Sequence, residues 1–251
     1  MSYPIIEVNN VSFKYGDQVV LENIQLEINK GDFLGLVGPN GSGKSTLLKI
    51  ILGLIQPTSG EVRMFGKPIS KFNQWSKVGY VSQKANSFNR GFPASVEEIV
   101  ETGLYGELGI FKRVGQKEKE RVKMALEQVG LSDLGSRNIA KLSGGQQQRA
   151  FIARAIVSNP EIIILDEPTV GVDTESVKQF YQLMGQLNEK LGLTIVLVSH
   201  DIGTITEKVT KLACLNKKLF CHGSPKEMED PQKTFEKTFG EDINMVTHHH
   251  H

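Results

Sequence analysis

The run Gly38-Pro39-Asn40-Gly41-Ser42-Gly43-Lys44-Ser45-Thr46 constrains this chain more than any other stretch. It satisfies G-x-x-x-x-G-K-[ST] with Gly38, Gly43, Lys44 and Ser45. Glycines let a backbone wrap closely, so that its N–H groups converge on phosphate oxygens. A helix starting here adds the positive end of its dipole. Lys44 offers a point charge to β and γ phosphates, and the Ser45 hydroxyl suits Mg²⁺. The flanks agree with this reading. Phe33 to Val37 is a short apolar run that predicts a buried strand, and Lys44 to about Leu54 reads as a helix.

A second chemical element follows another apolar run. Ile162-Ile163-Ile164-Leu165-Asp166-Glu167-Pro168 predicts a buried strand ending in two acids. Ligands of α/β sheets bind beyond the carboxyl ends of strands. Asp166 is therefore placed to hold Mg²⁺. Glu167, one residue on, can polarise a water for in-line attack on a γ-phosphate. Alone, the pair would read as a polar strand end before a proline turn; with the phosphate loop upstream, the catalytic reading leads. The third element, Leu142-Ser143-Gly144-Gly145-Gln146, precedes a helix and reads as a second anion site or as a Ser-capped helix with a Gly-rich entry.

Around these elements the pattern is α/β. Ile24, Leu26 and Ile28 alternate with polar residues, and Gly16-Asp17 marks a turn after an earlier strand from about Ile6 to Tyr15. Val122, Ala125, Leu126 and Val129 define one helix face in 116–130. Val177, Phe180, Met184, Leu187 and Leu191 define another, with Gly192 at the C-cap position. Leu193 to Val198 predicts a strand, and Leu212 to Leu215 with Leu219 to Cys221 predict a closing hairpin. Buried strands alternating with helices mean a parallel sheet. The antiparallel N-terminal strands and the helical middle depart from a plain doubly wound arrangement.

Charge is balanced, with 29 basic against 28 acidic residues, which argues against nucleic-acid binding through net charge. Two cysteines, Cys214 and Cys221, are too few for a disulfide framework. They are expected to be small buried apolar residues in a reducing compartment. No apolar run is long enough to cross a bilayer, and the start lacks the pattern of a signal peptide. His248 to His251 read as an expression tag.

In chain order, the loop at 38–46, Gln83 after a strand, Leu142 to Gln146, the run at 162–167 and His200 at a strand end resemble the nucleotide-binding subunit of ATP-binding-cassette (ABC) transporters, from about Glu7 to about Gly223. The resemblance implies a P-loop NTPase (RecA-like) core with an N-terminal antiparallel β subdomain and an α-helical subdomain. It implies one cassette over 1–245, with the helical subdomain at about 84–158 and a tail at 246–251. ATP and Mg²⁺ are the implied cofactors. Gly38, Pro39, Asn40, Gly41, Ser42, Gly43, Lys44, Ser45 and Thr46 would hold the phosphates, and Tyr15 would stack on adenine. Ser45, Asp166 and Gln83, in Tyr80-Val81-Ser82-Gln83, would serve Mg²⁺, with Gln83 also at the attacking water. Glu167 would be the base and His200 the γ-phosphate contact. Ser143, Gly144, Gly145 and Gln146 would face the ATP of a second cassette, and Asp173, in Val170-Gly171-Val172-Asp173, would lie at that interface. The family more often has Leu where Val172 stands. One chain then holds half of each site, and the active form is a head-to-tail homodimer.

The wording of 84–100, with Pro168-Thr169-Val170-Gly171-Val172-Asp173 and Ser199-His200-Asp201, is similar to cassettes of bacterial zinc and manganese importers, zinc most of all. That implies a membrane permease docking around Gln83–Val96, through Phe88, Arg90, Phe92 and Pro93. It also implies an external metal-binding protein and a peripheral position on the cytoplasmic side of the membrane. The metal would not bind this chain, because Cys221-His222 lacks C-x-x-C spacing. Cassettes for manganese, iron chelates or cobalamin look alike here. A soluble ABC ATPase without a permease and a P-loop phosphotransferase are the readings from other classes. The first lacks a coiled-coil insertion here. The second is opposed by Leu142-Ser143-Gly144-Gly145-Gln146.

Overall fold

The computed structural model describes residues 4–83, 93–108 and 114–227. In chain order the elements are β1 (Pro4–Tyr15), β2 (Gln18–Asn29), β3 (Phe33–Val37), α1 (Lys44–Ile51), β4 (Ser59–Met64), β5 (Lys67–Pro68), β6 (Val78–Val81), α2 (Val96–Glu101), α3 (Tyr105–Leu108), α4 (Gln116–Gln128), α5 (Gly144–Ile156), β7 (Ile162–Asp166), α6 (Thr174–Leu191), β8 (Thr194–Ser199), α7 (Ile202–Thr206), β9 (Lys211–Asn216) and β10 (Lys218–Gly223). The chain forms two compact units. One runs up to Lys71 and resumes at Leu197; the other runs from Phe72 to Val196. β8 crosses from the second to the first.

In the first unit β1 is paired on both sides, antiparallel to β2 and to β4. Alternation in β2 places Leu21, Ile24, Leu26 and Ile28 inside and the intervening polar residues outside. Ile6, Val8 and Val11 of β1 lie opposite Ile28, Leu26 and Ile24, and Ile5 is buried as well. Burial of each such side chain contributes roughly 1.5–3 kcal/mol. The alternation breaks at Asn9-Asn10, where the ladder shifts register and Asn10 takes a φ of 51°. Gly60 answers that bulge, since a Cβ there would come within 2.4 Å of the Asn10 carbonyl. In a second group of strands β3 runs parallel to β9, and β9 is antiparallel to β10. Its five residues, Phe33 to Val37, are all buried, as the continuous apolar run predicts.

The hairpin of β9 and β10 corrects the expectation for the two cysteines. Cys214 and Cys221 form a disulfide, with Cα atoms 4.9 Å apart. Leu219 opposes Leu215, and an unbroken register would carry Cys221 opposite Ala213. The ladder instead shifts after Leu219, Phe220 is the extra residue and is half exposed, and Cys221 lands opposite Cys214. Only Cys214 is buried; Cys221 is partly exposed. Strand pattern placed the cysteines on opposing arms, but a bulge is a tertiary outcome and decides which residues face. Unfolded without reductant, the chain should therefore show no thiol to a thiol-reactive dye and two after reduction. Two thiols before reduction would remove the bond.

In the second unit β6 runs parallel to β7, with Tyr80 opposite Ile164. Helix α5 packs against β6, and α2 and α4 pack on α5 and on each other. Gly79 permits the approach of α5, because a Cβ there would meet the Ala155 carbonyl at 2.5 Å. α4 buries Val122, Ala125 and Leu126, the predicted face. α6 buries Phe180, Met184 and Leu187 as predicted, and ends at Gly192 with φ 63°. It also buries Tyr181 and Leu183, whereas Leu191, expected on that face, is exposed. The final turn has run past the core there, so periodicity overreached by one residue.

Candidate functional site

In the first unit the Gly-rich loop joins β3 to α1. Gly41 and Gly43 take φ of 79° and 102°, which L side chains resist. Gly38 is tight for another reason. A Cβ there would meet the Leu215 carbonyl at 2.1 Å, so β9 sits against the loop's first residue. The Lys217 N–H donates to the Ser42 carbonyl at 2.9 Å, and the Glu22 N–H donates to the Lys217 carbonyl at 2.7 Å. The hairpin turn thus braces the loop and is itself held by β2.

Lys44 begins α1 and is buried to 5% exposure. Its Nζ donates to the carbonyls of Gly38 at 2.7 Å and Pro39 at 3.0 Å, folding the side chain back across the loop. The N-cap is Gly43, which offers no side-chain cap. Helix starts carry N–H groups without intrahelical acceptors, and the cap here leaves them to a ligand or water. Ser42 Oγ is buried and finds no hydrogen-bond partner among the described residues. A buried hydroxyl without a partner, beside glycines held in left-handed backbone, fits a phosphate group. Ser45 is exposed, Thr46 partly so, and Asn40 and Gly41 are exposed at the loop tip.

Two further predicted residues lie in this unit. Tyr15 ends β1, is 51% exposed, and meets the Phe13 ring edge-on at 4.8 Å. An aromatic this exposed presents a free face for stacking. His200 follows β8 and is exposed, just ahead of Asp201, whose carboxylate caps α7 by accepting from the Thr204 N–H.

The second unit carries the acids. Asp166 ends β7 and is 9% exposed. Burial first, and then the Asp166 carboxylate, push the Tyr80 phenol up. A carboxylate at the end of a buried strand suits a cation. Glu167 takes a φ of 47°. Such backbone costs a non-glycine residue of order 1–3 kcal/mol and gathers at functional sites. The flip carries the Glu167 carboxylate to Gln83, whose Nε2 donates to Glu167 Oε2 at 3.2 Å. Two of the predicted catalytic residues, 84 positions apart, are thereby brought together.

The glycines before α5 differ. A Cβ at Gly144 would meet nothing within 4 Å, whereas one at Gly145 would meet Ser176 Oγ at 2.6 Å. Gly144 and Ser143 are exposed, so an incoming anion can reach them; Gly145 is there for close packing on α6. Ser143 and Gln146 form a reciprocal capping box: Gln146 N–H donates to Ser143 Oγ and Ser143 N–H to Gln146 Oε1. The spacing S-x-x-Q was visible in the sequence. Asp173 caps α6, accepting from the Ser176 N–H at 2.9 Å, and the Ser176 hydrogen bonds hold its carboxyl below its ordinary value. Ser176 therefore lies between Asp173 and Gly145. Gln148 was not singled out from the sequence. It is 2% exposed, and its Nε2 donates to the Pro168 carbonyl at 3.0 Å. A polar residue on the buried face of α5 was the available signal. Among the described residues no group of three or more His, Cys, Asp and Glu side chains could hold a metal ion, and no helix is long and apolar enough to cross a membrane. Lys84 to Phe92, with Phe88 and Arg90, lies outside the described residues, as do the tail and His248 to His251.

The ABC transporter family profile matches residues 21–170, a span that includes the Gly-rich loop, Gln83, Ser143 to Gln146 and both acids. The chain belongs to the ABC transporter family. A relative in Listeria monocytogenes, the zinc uptake system ATP-binding protein ZurA, is 50% identical over 225 residues, covering 90% of this chain and 88% of the relative. The manganese transport system ATP-binding protein MntB of Bacillus subtilis is 38% identical over 235 residues, covering 94% and 92%. Among solved structures, cbiO1 from Clostridium perfringens, part of the ABC transporter complex cbiONQ, matches with a TM-score of 0.80 at 30% identity, covering 89% of this chain and 90% of that one. The ATP-binding cassette MJ0796, in a dimeric post-hydrolysis state bound to ADP and Pi, matches with a TM-score of 0.72 at 31% identity, covering 88% and 98%. The molecule is thus an ABC ATPase cassette of mixed α/β architecture.

Proposed function

We propose that this cassette hydrolyses ATP to drive import of a divalent metal ion, Zn²⁺ in preference to Mn²⁺, through a separate membrane permease. The observation that carries the choice of metal is the 50% identity to a zinc uptake cassette. The Bacillus subtilis relatives alone do not discriminate, since ZnuC and MntB stand at 39% and 38%.

Each predicted residue has a role within this reading. The backbone of Gly38 to Thr46 wraps the phosphates, and Ser42 Oγ offers a hydroxyl that lacks a partner among the described residues. Lys44 releases its two carbonyl partners to meet the β and γ phosphates. Tyr15 stacks on adenine, and His200 reads the γ-phosphate. Mg²⁺, when bound, neutralises charge building on the phosphates and suits Ser45, Asp166 and Gln83, a hydroxyl, a carboxylate and an amide of the oxygen type it prefers. Glu167 accepts the proton of the attacking water, with Gln83 steadying its carboxylate. Ser143, Gly144, Gly145 and Gln146 meet the ATP of a second copy, Gly145 also lets α5 approach α6, and Asp173 lies at that interface. The active form is accordingly a homodimer that closes on two ATP. The permease docks around Gln83–Val96, an external metal-binding protein supplies the ion, and the cassette sits on the cytoplasmic side of the membrane.

The test is growth and metal uptake of a strain lacking the cassette, in chelator-limited medium. Added Zn²⁺ should restore growth at concentrations where Mn²⁺ does not, and the cassette gene should restore ⁶⁵Zn uptake. Restoration by Mn²⁺ alone would assign the manganese substrate instead.

A further inference from the structure

The Glu167 carboxylate acts only where its backbone puts it, and that backbone is an unusual one. β7 delivers the chain as far as Asp166, and Glu167 then turns to φ 47°. Two turns follow, with Val170 N–H donating to the Glu167 carbonyl at 3.4 Å and Val172 N–H to the Thr169 carbonyl at 3.2 Å. The residue after Glu167 is a proline, which has no N–H to contribute. Its carbonyl, however, accepts a 3.0 Å bond from Gln148 Nε2.

The investment at Gln148 is large for a structural residue. A primary amide 2% exposed on a helix face must be fully bonded or cost about 1–3 kcal/mol, and leucine or methionine would fill the same space without that risk. Neighbours on its face, Gly145, Ile152 and Ala155, are small or apolar. The amide reaches across 20 residues of sequence to the one residue that directly follows Glu167. From the other side Gln83 bonds the carboxylate itself. The base is thus held at its side chain by Gln83 and through its backbone by Gln148.

We propose that Gln148 is a positioning residue for hydrolysis: its bond to the Pro168 carbonyl holds the Glu167 turn in the geometry that aims the carboxylate. The inference rests on Glu167 being the base. Misplacement of a reacting group by about 1 Å costs roughly 10²-fold in rate. Gln148→Met keeps the volume and removes the donor. It should lower kcat about 10- to 100-fold while the KM for ATP, nucleotide affinity and thermal midpoint stay near wild type. Gln148→Glu keeps the shape and supplies a donor only when protonated, and burial favours the protonated form. Its kcat, taken as a ratio to wild type at each pH, should rise as pH falls, which a merely structural role would not produce.

Wild-type kcat in Gln148→Met overturns the proposal. So does a loss of nucleotide affinity equal to the loss of kcat, or a flat pH ratio for Gln148→Glu. If Gln148→Met does not fold, the pH ratio decides. Glu167→Gln, measured alongside, separates the two levels. Full turnover in that variant removes the reading of the base, whereas an inactive Glu167→Gln beside a fully active Gln148→Met removes only the role of Gln148.

Discussion

Glu167→Gln should lower ATP turnover about 10²–10⁴-fold, the usual contribution of a general base, while nucleotide binding survives. The substitution is nearly silent for the fold. Glutamine meets the same backbone cost at φ 47°, and its carbonyl oxygen can still accept the Gln83 bond. What it loses is the capacity to take a proton from water. ATP should then persist at the site, and the closed homodimer with it. Phosphate release measures the first effect, and size-exclusion chromatography with MgATP measures the second. Normal turnover would mean that some other group receives the proton.

The second large effect is expected from Lys44→Ala. The Lys44 ammonium is buried among the Gly38 and Pro39 carbonyls, so alanine removes both the charge offered to phosphate and the tie that shapes the loop. A charge-assisted hydrogen bond is worth about 1.5–3 kcal/mol, which converts to roughly a 10- to 100-fold loss of ATP affinity, and hydrolysis should fall below detection. Binding of a fluorescent ATP analogue and phosphate release test both. A thermal midpoint near wild type would show that the loop, rather than the fold, carries the loss. Unchanged ATPase activity would sink the assignment of the Gly-rich loop.

Much of the chemistry was legible because it is written in short, local patterns. The nine residues from Gly38 to Thr46 carry their own geometry: Gly41 and Gly43 where φ is positive, then a lysine, then a hydroxyl. Asp166 and Glu167 were readable because four apolar residues before them announce a buried strand and its end. The helix at Ser143 announced itself by its cap. The substrate class was read by resemblance, from the wording of 84–100 and the two stretches quoted with it. The misses have a common cause. Leu191 fits the helical period but lies beyond the core that would bury it, and period alone does not know where a core stops. Cys214 and Cys221 were given opposing strands, yet their disulfide depends on Phe220 bulging out of the ladder.

By itself, then, the sequence determined that Lys44, Asp166 and Ser143 sit at the ends of buried strands and the starts of helices. Those facts follow from spacing and polarity within a dozen residues. Only the tertiary structure decided that Gln83 meets Glu167, that Ser176 closes on Gly145 and that Gln148 reaches Pro168. Such pairs are set by packing between elements distant in sequence. No local preference of a glutamine says which carbonyl the fold will bring to it.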